Sequence, residues 1–549
     1  MPRSAASSST SARPGRLALL FGAATLLLSA CGGDDGPPGL GEGCNPDTAD
    51  VCGADAVCSL DAEGANVCQK PAGAECDLTA TKTHCILGSI CTEATDADGM
   101  TIGLCLLEVG ETCDPSDDLC GDDLRCAELM DGSYQCHAPL LLRGMVSASD
   151  TGEAIAGAHV IALDDRPVAV TDVAQSAADG SYELEVPVVR DADGVPIATS
   201  FTLRGSADGY STFPGGLRTA LPIHTSEATQ QTAGWIIEGT ISDIVLIPVA
   251  DPAAPRFSIA GTVLAGEASA GVLLVADAGA GGISAISDAS GAYTIFNAPP
   301  GDYEVQGYAA DLQLIPASAS VLDADLQGVD LSPAAEATST VTGSIQIVNP
   351  GGGSATSVIL VVDSTFDEGF ARGEVPPGLR APRSGPVSID GAFTFEGVPA
   401  GRYVVLAAFE NDLLVRDPDT SIAGTGFVYV DVPPASTVDI ADSFKVTGAL
   451  AVSSPGADLP EAVSAGTTLT LNWEDDSSED HYEVQVFDAY GNIVWEDLAV
   501  PAVSGAPDVS VTYGGPMEIG MYYQFRATSW RTAPISMTED LLGVFYIVP

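Results

Sequence analysis

Twelve of the thirteen cysteines lie between Cys44 and Cys136, and their order constrains the fold more than any other feature. They form three sets of four: Cys44, Cys52, Cys58 and Cys68; Cys76, Cys85, Cys91 and Cys105; Cys113, Cys120, Cys126 and Cys136. Five residues separate the second and third cysteine of every set, and a glycine (Gly41, Gly73, Gly110) stands three residues ahead of each first one. This is a tandem repeat with a period of roughly 30–35 residues. A unit of that size cannot be held by apolar burial alone. In an exported chain, as the leader described next implies, the even cysteine count predicts a disulfide framework over residues 44–138. Zinc is the rival use of clustered cysteines, but it favours close Cys-x-x-Cys pairs, and the segment has none. Four cysteines allow three pairings per unit, and spacing does not choose among them.

The thirteenth cysteine has a different setting. Arg3, Arg13 and Arg16 sit in a Ser-rich leader, an apolar run follows from Leu17 to Leu28, and Leu28-Ser29-Ala30-Cys31 closes it. A basic segment, a short apolar core and small residues before a cut describe an export signal over residues 1–30. The run is shorter than the roughly 20 residues that span a bilayer. Leu-Ser-Ala-Cys resembles the lipobox of bacterial lipoproteins. That resemblance implies cleavage before Cys31, a diacylglycerol on its thiol, and a membrane anchor. The alternative is an ordinary signal peptide with a cysteine near its end. Residues 31–43 read as a polar tether. Gly32 stands where many inner-membrane lipoproteins carry aspartate, which implies the outer membrane or cell surface. No later apolar run reaches 18 residues, so the chain is expected to be anchored to a membrane and not to cross it. For the twelve remaining cysteines, a first-to-third and second-to-fourth pairing would resemble other small cysteine-rich modules.

From Leu140 onward cysteine vanishes, and Val, Ile, Thr and Ala alternate between Gly, Pro and Asp. Strand signals recur every 8–12 residues or so, as in sandwiches. The predicted fold class is all-β: tandem β-sandwich domains preceded by a disulfide-rich repeat segment. Three segments share a layout. The first opens at Leu142-Arg143-Gly144-Met145-Val146 and turns at Ala178-Asp179-Gly180-Ser181-Tyr182. The second opens at Ser258-Ile259-Ala260-Gly261-Thr262-Val263, turns at Ser290-Gly291-Ala292-Tyr293, and continues through Pro299-Pro300-Gly301-Asp302-Tyr303. The third opens at Val341-Thr342-Gly343-Ser344-Ile345, turns at Asp390-Gly391-Ala392-Phe393, and continues through Pro399-Ala400-Gly401-Arg402-Tyr403. Glycine in each turn accepts positive φ, and the aromatic then enters the next strand on the core face.

The layout resembles the carboxypeptidase regulatory-like domain, a transthyretin-like sandwich grouped with carbohydrate-binding-like folds. The resemblance implies copies at 140–255, 256–336 and 338–445. The first is divergent: it lacks the Pro-x-Gly-x-Tyr element, carries an insertion at Asp191–Pro196, and resumes at Phe201. Residues 446–549 differ. Thr468 to Trp473, His481 to Asp488 and Tyr522 to Trp530 resemble the strands of a fibronectin type III or immunoglobulin-like domain, with Trp473 as the core tryptophan.

The net charge is −55, and loss of the three leader arginines leaves −58. Such a surface repels nucleic acid and anionic lipid. Weak Ca²⁺ binding by Asp96-Ala97-Asp98-Gly99 or Asp191-Ala192-Asp193-Gly194 is the sharper use of the acidity, but neither continues into a calcium loop, and both read as turns. No cofactor or metal site is expected. Five histidines serve the whole chain: His84, His137, His159, His224 and His481. Gly-x-Ser-x-Gly and His-Glu-x-x-His are absent. His224-Thr225-Ser226-Glu227 has metallocarboxypeptidase spacing, without the rest of that site. Gly351-Gly352-Gly353-Ser354 lacks the lysine of a phosphate loop and reads as a hairpin tip. Lys445 is the one lysine after Lys82, which argues against Lys–Asn isopeptide cores. Trp235, Trp495, Trp530, Tyr210 and Phe213 are candidates for sugar stacking, with core or edge packing as the ordinary alternative. The function expected is therefore non-enzymatic: a lipid-anchored surface protein with a binding, adhesion or spacer role and a glycan or envelope protein as partner. An accessory subunit of an envelope polysaccharide or transport complex is the alternative, and an unfamiliar enzyme using His224 or His481 the third reading.

Overall fold

The computed structural model describes residues 37–549 apart from 48–51, 54, 81, 83, 96–99, 122, 165–168, 216–219, 233, 252, 280, 349–355, 370–371, 384–388, 410–414, 417–425, 442, 477, 504–506 and 540–541. It is all-β, a disulfide-rich segment followed by β-sandwiches. Two compact units divide the chain, one up to Cys105 and one from Leu106 to Pro549. The division falls inside the cysteine-rich segment, after the second repeat.

All three repeats pair first to third and second to fourth: Cys44–Cys58, Cys52–Cys68, Cys76–Cys91, Cys85–Cys105, Cys113–Cys126 and Cys120–Cys136. The recurring glycine explains itself here. Gly41, Gly73 and Gly110 have φ of 79°, 81° and 83°, a region closed to most side chains. Their N–H groups donate to the carbonyls of Cys68, Cys105 and Cys136, each at 2.8 Å. Every repeat thus closes on itself through its own fourth cysteine.

The third repeat belongs to the second unit because the first sandwich offers it an edge. Arg190 sits in a bridge with Leu129. Its N–H donates to Glu128 O, and its carbonyl accepts from Met130 N–H, both at 2.9 Å. Asp191, at the start of the insertion, accepts the N–H groups of Asp193 and Val195 and turns the chain there.

The first sandwich has one sheet in the order Ser181–Val186, Leu140–Ala148, Gly234–Glu238, Thr229–Gln231, with Ile244–Leu246 also beside Leu140–Ala148. Its other sheet runs Ala174–Gln175, His159–Leu163, Ser200–Ser206, Ile223–His224. The second sandwich repeats the plan. Phe257–Thr262 pairs with Ala292–Ala298, and its parallel neighbour is reduced to bridges at Leu326 and Leu331. The facing sheet runs Gly282–Ile286, Leu273–Asp277, Gly301–Tyr308, Ala317–Val321. In the third, Ser339–Val348 lies between Gly391–Val398 and the parallel strands Thr437–Asp439 and Phe444–Thr447. Its facing sheet contains Arg380–Ala381, Thr356–Val362, Gly401–Phe409 and Val428–Val432. The copy with the divergent sequence keeps the common topology.

Two hydrogen-bond devices hold this plan. The Tyr182 hydroxyl donates to Ser242 O and the Tyr293 hydroxyl to Val329 O, each at 2.5 Å. Each ring reaches its carbonyl over a glycine of the opening strand, Gly144 or Gly261. A β-carbon at either glycine would collide with that same carbonyl, and one at Gly343 would collide with the Phe393 ring. Gly261→Ala is expected to cost about 1–3 kcal/mol by overpacking, read as a lower denaturation midpoint. The Pro-x-Gly-x-Tyr element is the second device. Tyr303 and Tyr403 each donate a hydroxyl back to the carbonyl of Pro299 or Pro399, at 2.7 Å.

The last sandwich joins a sheet of Val452–Ser454, Thr470–Glu474 and Asp508–Thr512 to a larger one in the order Glu461–Ser464, Val544–Val548, Tyr522–Trp530, His481–Asp488, Ile493–Pro501. Its core gathers around Trp473, Tyr482, Tyr523, Phe525 and Phe545, all at most 1% exposed.

Candidate functional site

The residues singled out in the sequence do not converge on one place. Cys31, the leader at residues 1–30, Asp96 to Gly99 and Gly351 to Ser354 lie outside the described residues. Among the described residues, the groups of three or more potential metal ligands close enough to share an ion are three cysteine triplets. Every cysteine in them is bound in a disulfide.

The histidines are held in separate local contacts. His224 Nδ1 lies 3.1 Å from Ser226 Oγ, while Glu227 accepts the Tyr522 hydroxyl of the last sandwich at 2.6 Å. The His-x-x-Glu spacing is thus spent on two unrelated contacts. Burial lowers the His224 pKa, against a smaller upward pull from Glu227. His481 stacks on Trp530 with ring centroids 6.4 Å apart. His159 meets Phe296 edge-on, and burial lowers its pKa too. His137 packs over Gly194.

The five aromatic candidates for sugar stacking all pack. Phe213 is in the first core, with Trp235 and Tyr210 half-buried against it. Trp495 packs on the last core and meets Tyr513 edge-on, and Trp530 carries the His481 stack.

A large concavity lies elsewhere, among residues that sequence reasoning passed over. It encloses about 1120 Å³ between the third cysteine repeat, the first sandwich and the edge of the second. Tyr134, Arg125, Glu185, Val170, Arg190 and Ser287 are among its walls. Arg125 pairs with Glu185 at 2.8 Å. Arg190 is 2% exposed. Its guanidinium donates to the carbonyls of Gly194 and Ala138, and burial pulls its pKa down to about 10. It works as a staple between the insertion and the chain leaving the third repeat. The signal available in the sequence was an arginine directly before Asp191, in a chain with few cations.

No protein-family model matches the chain, and no curated protein does. Some solved structures are similar over nearly all of their own length but only part of this chain. GBS52, the minor pilin of Streptococcus agalactiae, shares 13% identity over 34% of this chain and 95% of its own, with a TM-score of 0.16. A DUF3823 family protein from Bacteroides ovatus shares 13% over 38% and 99%, with a TM-score of 0.19. BcpA, the major pilin subunit of Bacillus cereus, shares 9% over 56% and 99%, with a TM-score of 0.15. Overlaps this shallow say nothing about what this chain does.

Proposed function

We propose that this chain is an exported, lipid-anchored, non-enzymatic surface protein, held at the outer membrane or cell surface by a diacylglycerol on Cys31. The observation that carries this reading is the cysteine balance. Six disulfides use all twelve cysteines from Cys44 to Cys136, and Cys31 alone stands apart, behind an apolar run and small residues. Structural disulfides also belong chiefly to oxidising, extracytoplasmic compartments. Among the described residues no helix is long and apolar enough to cross a membrane. The carboxypeptidase regulatory-like modules and the C-terminal fibronectin-like module serve as display or spacing elements, with a glycan or envelope protein as partner. The strong negative charge argues against nucleic acid.

Cys31→Ser tests the anchor. The wild-type chain is expected in the membrane fraction with the added mass of a lipid, and the variant in the soluble fraction without it. A variant that stays with the membrane overturns the reading.

The alternative, an accessory subunit of an envelope polysaccharide or transport complex, is favoured by the 1120 Å³ concavity. A stoichiometric protein partner recovered from detergent-solubilised membranes, and lost on Arg125→Glu, would support it. The enzyme reading gains no support, because His224, Glu227 and His481 are each occupied by ordinary packing contacts.

A further inference from the structure

The junctions between the first three sandwiches repeat one another. Gly205 pairs with Val160 in the first sandwich as Gly307 pairs with Leu274 in the second. This register makes Arg204 the counterpart of Gln306, and the loop Ala207–Tyr210 the counterpart of Ala309–Leu312. On the receiving side, Asn297 and Gly397 are counterparts. Each stands two residues before the proline of Pro-x-Gly-x-Tyr, with left-handed φ of 64° and 69°.

Counterpart positions meet at the two junctions, through different atoms. At the first junction, Asn297 Nδ2 donates to the carbonyls of Ala207 at 2.9 Å and Tyr210 at 2.8 Å. Its Oδ1 accepts the Gly209 N–H at 2.7 Å. At the second, Gly397 O accepts the Asp311 N–H at 2.8 Å, and Pro377 O accepts that of Ala310. The Gln306 amide donates to Ala400 O at 2.5 Å, and Ala400 N–H donates to Gln313 Oε1 at 2.7 Å. Tyr308 of the second sandwich enters the third core and meets Tyr403 edge-on.

The series stops at the third sandwich. Ala407 pairs with Val358 there, so Leu406 takes the place of Arg204 and Gln306. The face is apolar: Ile359, Val361, Val404 and Leu406 are buried beneath Phe366, Val375 and Phe427. These lid residues come partly from the segment that carries Glu374. That carboxylate accepts from Arg204 of the first sandwich at 2.5 Å and from Ser284 of the second at 2.5 Å. Arg204 also donates to Ser284 Oγ at 2.9 Å. Burial pushes the Glu374 carboxyl up, but Arg204 and the two hydrogen bonds outweigh it and hold the group below the usual carboxylate range. Three sandwiches therefore share one ion pair, with Arg204 only 8% exposed.

We propose that these three sandwiches act as a single rigid strut of fixed length, propagated by one repeated docking geometry, closed by its own apolar lid and locked by Arg204, Ser284 and Glu374. Serial domains with small interfaces move independently by default, and stacked repeats need an end that no further repeat can join. A buried charge left without its partner destabilises whatever it is buried in, so the lock is strong only while all three sandwiches are seated. The inference rests on contacts between residues 140 and 447 and is independent of the lipid anchor.

Amide hydrogen exchange and small-angle scattering on the full chain test it. In the wild type, the junction amides of Gly209, Ala310, Asp311 and Ala400 are expected to exchange at least about 100-fold more slowly than free loop amides. Arg204→Ala or Glu374→Ala should speed them at least 10-fold and lengthen the scattering envelope, with exchange in Thr356–Val362 unchanged. Asn297→Gly touches no core and suits the left-handed backbone. It should speed exchange at Gly209 and decides the matter if the charge variants do not fold. Loop-like exchange at the wild-type junctions, or no change in any variant, overturns the strut.

Discussion

Reduction of the disulfides is expected to unfold the described residues up to Cys105 while the sandwiches keep their cooperative transition. In that unit the buried apolar side chains are Cys68, Cys85 and Cys105, and nothing larger. Leu60, Leu87 and Ile90 are at least half exposed. Its sheets are correspondingly slight: a two-stranded hairpin in which Cys58 faces Cys68, and three strands around Thr101–Leu107. Strand pairs of this size do not stand alone in water. The bonds close sequence separations of 14, 16, 15 and 20 residues, each worth about 3 kcal/mol of chain entropy. Removing four such restraints from a unit with almost no core leaves no folded state. Hydrogen exchange with and without reductant reads the result. Protection at Cys68 and Cys105, whose N–H groups are bonded to Glu42 O and Ala74 O, should vanish, while protection at Tyr403 and Trp473 persists. Retained protection in the first unit after full reduction would show an unrecognised core.

The second large effect is expected at Trp473. Its side chain is fully buried. It meets Tyr482 edge-on at 5.5 Å and Phe525 at 6.3 Å, so it bridges the two sheets of the last sandwich. Trp473→Ala should cost about 3–5 kcal/mol, from lost transfer free energy together with the cavity left behind. A denaturant titration should show the last sandwich melting earlier and the first losing part of its stability with it, because Phe487, Ile493 and Tyr522 pack on the first core. The Tyr482 hydroxyl, which holds Asp475 and Asp476, should lose its fixed position in the same variant. A shift below about 1 kcal/mol would mean that the surrounding rings collapse into the space.

Much of the architecture was legible because its signals are local. The alternation in Thr470–Glu474 and His481–Asp488, the Asp-Gly turns before Tyr182 and Phe393, and the count of cysteines each act within a few residues. The unread parts depend on distance along the chain. Arg204 and Glu374 meet across 170 residues, and no spacing rule joins them. The pairing within each cysteine repeat stayed open for the opposite reason: the four cysteines lie so close together that spacing allows all three pairings. Gly144, Gly261 and Gly343 were visible as a recurrence, but their purpose needed the parallel strand that brings Ser242 or Val329 beneath the tyrosine. His224 and Glu227 show the opposite failure. Their spacing suggested chemistry, and the fold spends Glu227 on Tyr522. Arg190 was unremarked, although it seats the third repeat on the first sandwich.

The glycine clasp of the cysteine repeats has a consequence for how such a chain changes over generations. Because Gly41 is bonded to Cys68, Gly73 to Cys105 and Gly110 to Cys136, the entrance and exit of each repeat lie side by side. Both disulfides of a repeat also stay within it. A gene segment encoding one repeat can therefore be duplicated or excised whole, and the flanking ends rejoined across a few ångströms without mispairing a single thiol. Copy number becomes a free variable, changed in whole repeats.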